Sequence, residues 1–361
     1  GETVPPLPAN TNYVDVACGW THSLFLRSDG VLLVTGSNQF GQLNVPQLPA
    51  GVVPIKIHAV GYNSIMLASD GSVHAWGDNT YGQCNVPALP PGLIYTDTSC
   101  NWDHSLAVRS DGALLAWGFN GSGELNVPSL PPGVRYERCA AGQGFSVAWR
   151  SDRQLIAWGF NGLQQLDVPA APSNATLVKV EAGVGHGFAL WSDGTVSGWG
   201  QTSYYPWDQP ALTRRGGELS PADRFVGVSA GFQHTLVLRA DGTAEGYGNN
   251  AAFVCDPPPL PRGRKYTKVR AGTYLSAALR SDGELIVWGD NYWGQANVPP
   301  LPAGVTYTDV DLGENHVVAL RSDGRVVAFG HNGFGQCSVP PLPNGMTFVS
   351  IDASGDATAL L

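Results

Sequence analysis

The chain has 361 residues, with 46 Gly, 27 Pro, only 14% charged residues and a formal net charge of −9. Gly and Pro punctuate it too often for long helices. Its acidic balance offers no basic face to a nucleic-acid backbone, and no apolar run approaches the ~18 residues of a membrane span.

The first segment, TVPPLP at 3–8, is followed by DVAC, HSLFL and VLLVTG pieces, and the same four pieces return along the whole chain. In the third unit they are NVPALP, YTDTSC, HSLAVR and ALLAWG. Each is strand-sized, rich in Val, Leu and aromatics, and bounded by Gly, Pro or Asp-Gly. Between the last two sits Ser-Asp-Gly or a variant, at 28–30, 69–71, 110–112, 151–153, 192–194, 240–242, 281–283 and 322–324. Asp-Gly is hairpin-turn chemistry because Gly accepts a positive φ, and Arg153, standing for Gly once, predicts a strained or reshaped turn. The period is 41 residues, except for one of 48 that carries a seven-residue insertion within 212–225. The end, 338–361, begins a ninth unit that stops before its last strand.

A fixed period near 40 residues with four short strands describes a β-propeller blade, which buries its faces only by stacking on neighbours. The expectation is an all-β propeller forming a single domain over 1–361. It has nine blades, eight full repeats plus a partial ninth, with eight blades as the alternative, and its ring is closed by the two termini.

The strings GWTHSLFLRSDG, VWGDNYWGQANVP and AWGDNTYGQCNVPALPPGL resemble the RCC1-type repeat, most closely its bacterial version, which includes the β-lactamase inhibitory protein II family. The resemblance covers essentially the whole chain and implies the propeller fold. Function within this family ranges from a chromatin-bound nucleotide exchange factor to a plant ultraviolet receptor and secreted enzyme inhibitors, so function must be read from the site. The inhibitors have seven blades, and they bind target enzymes through loop aromatics on one propeller face. A chain that begins at Gly1 without Met reads as processed or trimmed, and the expected location is secreted or extracytoplasmic.

His22, His104, His186, His234 and His316 fall at one repeat position. Equivalent positions on separate blades do not converge on one ion, so no metal site is expected, and these are read as core imidazoles satisfied by backbone groups. Of six Cys, Cys84 and Cys100 share a unit and could form a disulfide, although small buried thiols are the simpler reading. No nucleophile elbow, zinc-protease helix or phosphate loop occurs, so no catalytic residue or cofactor is assigned.

Aromatics carry the remaining signal. Trp20, Tyr62, Trp102, Phe232 and Tyr274 lie in the loop before the HSLFL-type strand. Phe40, Tyr81, Tyr204, Tyr292, Trp293 and Phe334 lie in the loop after the Trp-Gly strand. Strand reversal puts both loops at the same end of a blade. Phe40, Tyr81 and Phe334 precede Gly and also suit a core cap. The Trp20 position accepts Gln143 and Glu314, which a core would not. The Gly-Gln after the aromatic is lost twice, as Tyr205-Pro206 followed by Trp207 and as Phe253-Val254, close to Arg214 and Arg215. Four large rings replacing small residues predict a recognition patch of Tyr204, Tyr205, Trp207 and Phe253, with Arg214 and Arg215.

The leading expectation is a non-enzymatic, monomeric module that binds a protein partner through its aromatic face, with enzyme inhibition as the sharpest form. The alternatives are a small molecule or glycan bound in the axial channel or at the 204–253 patch, and an enzyme with a loop-built site.

Overall fold

The computed structural model describes residues 11, 13–200, 223–339 and 347–360. Among these, nine antiparallel sheets follow one another along the chain, eight of three strands and a last one of two. The first shows the pattern: β1 (Tyr13–Cys18), β2 (His22–Arg27) and β3 (Leu32–Gly36), with β2 in the middle. The sheets fall into two compact units. One combines 1–39 with 226–361 and holds the first and the sixth to ninth sheets; the other, 40–225, holds the second to fifth.

Middle strands such as HSLAVR, LSAALR and HVVALR are buried along nearly their whole length. A strand with a partner on each edge and a neighbouring sheet over each face reads as continuous burial rather than alternation. The turn from the middle to the third strand uses Asp as expected: Asp70 Oδ1 accepts from Ser72 N at 2.9 Å. Arg153 does take the left-handed backbone, at φ 66°. Its guanidinium offsets part of that strain by donating to the carbonyls of Pro172 and Ala175.

The sheets have three strands, not the four expected. Among the described residues the Val-Pro piece pairs with no ladder, because Pro lacks the donor that a ladder needs. It is tied down by a phenol instead. Tyr95, Tyr136, Tyr266 and Tyr307 each open a first strand and donate to the carbonyl of Pro87, Pro128, Pro258 and Pro299 at 2.6–2.8 Å.

Adjacent sheets are joined by a repeated polar latch. Its centre is the backbone carbonyl just after the Gly of Gly-Gln. Glu124 O accepts from Ser146 Oγ at 2.9 Å and from Trp158 Nε1 at 2.8 Å. Gln83 O takes Ser105 and Trp117 in the same way, and Val254 O takes Ser276 and Trp288. The repeated histidine extends the latch backwards. His104 Nε2 meets Ser146 Oγ at 3.1 Å, His234 meets Ser276 at 2.8 Å, and His316 meets Thr358 at 2.8 Å. The hydroxyl proton is used on the carbonyl, so the imidazole must donate from Nε2. The partners are therefore hydroxyls of the next sheet, not the backbone groups expected. Where Phe145 and Leu275 replace His, the position that would supply the hydroxyl holds Gly187 and Val317.

Both chain ends lie in the first unit, where the ninth sheet, Ile351–Ser354 and Ala357–Leu360, packs between the eighth and the first. Ala353 N donates to Asp311 Oδ2 at 3.0 Å, and Cys18 N donates to Asp352 Oδ2 at 2.7 Å. The two junctions are thus chemically alike, although one joins residues at opposite ends of the chain. Burial pushes both carboxyls above their usual range, and the Arg270 guanidinium beside Asp311 opposes the rise there.

The latch predicts non-additive energetics. Ser146→Ala and Trp158→Phe should each cost about 1 kcal/mol, and the double variant should cost clearly more than their sum because Glu124 O then keeps neither donor. Urea midpoints of the four proteins test this, and strict additivity would sink the shared-carbonyl account.

The histidines predict a pH dependence. Burial lowers His22, His186 and His316 from 6.5 to about 4. The unfolded chain then binds more protons than the folded one below pH 6.5, so stability is full above that value and lost as pH falls toward about 4. Thermal midpoints of His316→Leu, which copies the residue at Leu275, should fall less steeply over this window than those of the parent.

Candidate functional site

The loop between the first and middle strands and the loop leaving the third strand meet at one end of each sheet. Asp78 N donates to Tyr62 O at 3.1 Å, Phe119 N to Asp103 O at 2.8 Å, Asp290 N to Tyr274 O at 2.9 Å and His331 N to Asn315 O at 2.9 Å.

Each exit loop is held from inside. An Asn two residues after the strand's closing Gly accepts from the backbone five residues on, as with Asn79 and Cys84 N (3.0 Å), Asn291 and Ala296 N (2.8 Å), and Asn332 and Cys337 N (2.9 Å). The buried Gln of Gly-Gln accepts from the residue two before it: Phe40 N to Gln42 at 2.7 Å, Tyr81 N to Gln83 at 2.8 Å, Trp293 N to Gln295 at 2.8 Å. The Gly takes a positive φ, 81° at Gly82 and 78° at Gly294. This bracing turns the aromatic before the Gly outward. Phe40, Tyr81, Tyr292, Trp293 and Phe334 are exposed, so Phe40, Tyr81 and Phe334 are not core caps.

The loop that lost Gly-Gln keeps the frame. Asn250 Oδ1 accepts from Cys255 N at 2.8 Å, and Val254 O still serves the latch. Phe253 therefore occupies the Gly position, with φ 60° and a side chain 73% exposed. Local backbone bonds hold this turn, Phe253 N to Asn250 O at 3.0 Å and Asp256 N to Phe253 O at 3.1 Å, while the ring itself faces water in a left-handed backbone that costs energy for an L-residue. Tyr204, Tyr205, Trp207, Arg214 and Arg215 lie outside the described residues.

The remaining predicted residues divide. Tyr274 is exposed, whereas Trp20, Tyr62, Trp102 and Phe232 are half-buried. Trp102 lies so close to Gly61 that a side chain there would meet its ring at 3.2 Å, and Trp20 lies similarly against Gly355. These two indoles seal neighbouring loops. Tyr62 stacks on Phe40 at 4.6 Å, which joins the two loop sets.

Three rings were missed by the sequence reading: Phe119, Phe160 and His331. All follow the closing Gly of a third strand directly, and that position was the available signal. Phe119 packs edge-on to Tyr81 at 4.9 Å. His331 lies 4.5 Å from Trp293 and 5.9 Å from Phe334, and Trp293 lies 5.0 Å from Tyr292. Tyr292, Trp293, His331 and Phe334 thus form one continuous row across two loops. Beneath it, Gln336 Nε2 bridges His331 Nδ1 (2.9 Å) and Asp356 Oδ1 (2.8 Å). Burial raises the Asp356 carboxyl above its usual range, against the pull of His331 and Gln336.

The cysteines are free thiols, so Cys84 and Cys100 form no disulfide. Cys84 Sγ is directed at Asp78 O, 3.1 Å away, rather than at a sulfur. Burial pushes Cys84, Cys100 and Cys255 up to about 12 and Cys337 to about 11.

The regulator of chromosome condensation (RCC1) repeat matches residues 13–42, 55–83, 95–124 and 307–336, which are the first, second, third and eighth sheets with their exit loops. The fold is that of an RCC1-type repeat propeller. Among solved structures, Prp20p of Saccharomyces cerevisiae, described with its binding to Gsp1p and histones, is similar at TM-score 0.54 and 20% identity, over 74% of this chain and 82% of that one. Yeast RCC1 (Prp20) bound to Kap60 gives TM-score 0.50 and 19% identity over 80% and 72%. Human WBSCR16 gives 0.51 and 15% over 98% and 88%. No curated protein matches the sequence. The three-stranded sheets outside the four RCC1 matches, such as those with Phe145 and Leu275 at the histidine position, keep the same strand order.

Phe253 supplies a stability test. Phe253→Gly should stabilise the protein by about 1 kcal/mol, since an L-residue in the left-handed region costs about 1–2 kcal/mol and little packing is lost. A lowered thermal midpoint would show instead that the ring is anchored.

Proposed function

We propose that the protein is a non-enzymatic binding module that docks a partner protein on its aromatic loop end, most sharply as an inhibitor of a β-lactamase-type enzyme. The observation that carries this reading is the set of large rings held outward by braced loops. Tyr292 is 81% exposed, Phe334 72% and Trp293 49%. Rigid aromatics lose little entropy on contact and dominate interface energetics. The partners described for the yeast propeller, Gsp1p, histones and Kap60, support a protein ligand. A secreted or extracytoplasmic location is part of the proposal.

A panel of class A β-lactamases assayed with a chromogenic substrate tests the inhibitor form. Nanomolar inhibition is expected, with Trp293→Ala and Phe334→Ala each weakening it more than about tenfold at a hot spot worth 2 kcal/mol or more. No inhibition at micromolar protein would remove the inhibitor role.

A further inference from the structure

The loop end of the first unit has a one-sided charge. Its loops are 19–21, 37–39, 231–233, 249–256, 272–274, 290–297, 313–315, 331–338 and 355–356. None contains Lys or Arg, whereas Asp256, Asp290, Glu314 and Asp356 all lie there. The rest of the unit is different. At the opposite end, Arg27 pairs with Asp29, Arg280 with Asp282 and Arg321 with Asp323. On the first strands, Lys268 pairs with Asp309 and Arg270 with Asp311. Among the described residues, no ion pair with Lys or Arg is formed by Asp256, Asp290, Glu314 or Asp356. Asp290 and Asp356 are instead held by the amides of Gln295 and Gln336, which orient the carboxylates without neutralising them.

Asp290 and Asp356 flank the row of Tyr292, Trp293, His331 and Phe334, and Glu314 adjoins Asp356 through its backbone, Glu314 N donating to Gly355 O at 2.9 Å. Asp290 accepts from Tyr292 N at 3.2 Å, and Asp356 lies 3.9 Å from His331. Aromatic faces bordered by unneutralised carboxylates fit one chemistry above others, a cation with a flat or apolar stem. A guanidinium stacks on the rings while its edge donates to carboxylate. An acidic or neutral segment would leave those charges unmatched or opposed.

We propose that the segment of the partner seated on the Tyr292–Trp293–His331–Phe334 row is an arginine-bearing stretch of protein, recognised by stacking on these rings and by pairing with Asp290, Glu314 and Asp356. This rests on the protein-binding reading above and adds the charge of the contacting segment.

The test is fluorescence anisotropy of labelled arginine–glycine, glutamate–glycine and serine–glycine repeat peptides with the full chain. The arginine peptide should bind at low salt and weaken as salt rises, because exposed charges are screened within about 10 Å at 0.1 M. The other two should not bind. Tyr292→Ala is an exposed change that leaves the fold alone. It and the Glu314→Gln/Asp356→Asn pair should each weaken binding about threefold to tenfold, as cation–π and surface ion-pair contacts do, while Asp323→Asn at the opposite end should change nothing. Equal binding of arginine and serine peptides, or no response to Tyr292→Ala, would overturn the proposal. If β-lactamase inhibition persists and responds to Trp293→Ala while the arginine peptide shows no preference, the charge inference alone fails. Loss of both removes the aromatic end as a docking surface.

Discussion

At three repeats one backbone carbonyl ties a sheet to the one that follows it. At Gln83, Glu124 and Val254 it lies between two sheets and receives an indole N–H and a hydroxyl from the next. A buried carbonyl left without donors costs about 1–3 kcal/mol, so at these junctions a sheet needs the following one to satisfy its exit loop. That dependence makes the repeats cooperative, since a sheet alone would expose both its apolar faces and its latch. The acceptor is main chain, so the side chain can vary. Val254 replaces Gln and Glu124 replaces Gln without loss of the latch, and Phe253, like Gln164, stands where most repeats have Gly.

The same bracing explains the surface. Asn at the start of each exit loop and Gln at its end satisfy the loop's own donors. The residue between them then has no polar duty and can face solvent. Rings at that position cost the fold little and are available to a partner. The half-buried Trp20 and Trp102, in the other loop, seal the contact with an adjacent glycine loop. Two aromatic sets that look equivalent as composition thus differ: apart from Tyr274 the first set is half-buried, while the second is exposed, with Tyr62 on Phe40 connecting them.

Charge is segregated along the strand direction. The Arg-Asp pairs sit at the Ser-Asp-Gly turns because the last residue of each middle strand and the turn aspartate are two positions apart, within reach of one another. The loops at the other end are built on Asn, Gln and Gly, and their carboxylates are oriented by amides. Among the described residues of the first unit, the cations lie at one end and on the strands, which leaves its aromatic end with carboxylates and no Lys or Arg.

From the sequence alone, the 41-residue period, the Asp-Gly turns and the Trp-Gly strands determined the repeat, its all-β character and the unit count, because these are local signals that recur. The partial ninth unit was legible in the same way, and the structure shows it as a two-stranded sheet between the eighth and the first. Three things only the tertiary structure decided. The Val-Pro piece looked like a strand, but pairing depends on a neighbour's donors and acceptors, and Pro has no N–H to offer. The histidine partners were invisible because each lies 42 residues away on another sheet. Exposure of Phe40, Tyr81 and Phe334 depends on the Asn and Gln braces. An aromatic in a repeat reads the same whether it faces core or water, and only packing tells the two apart.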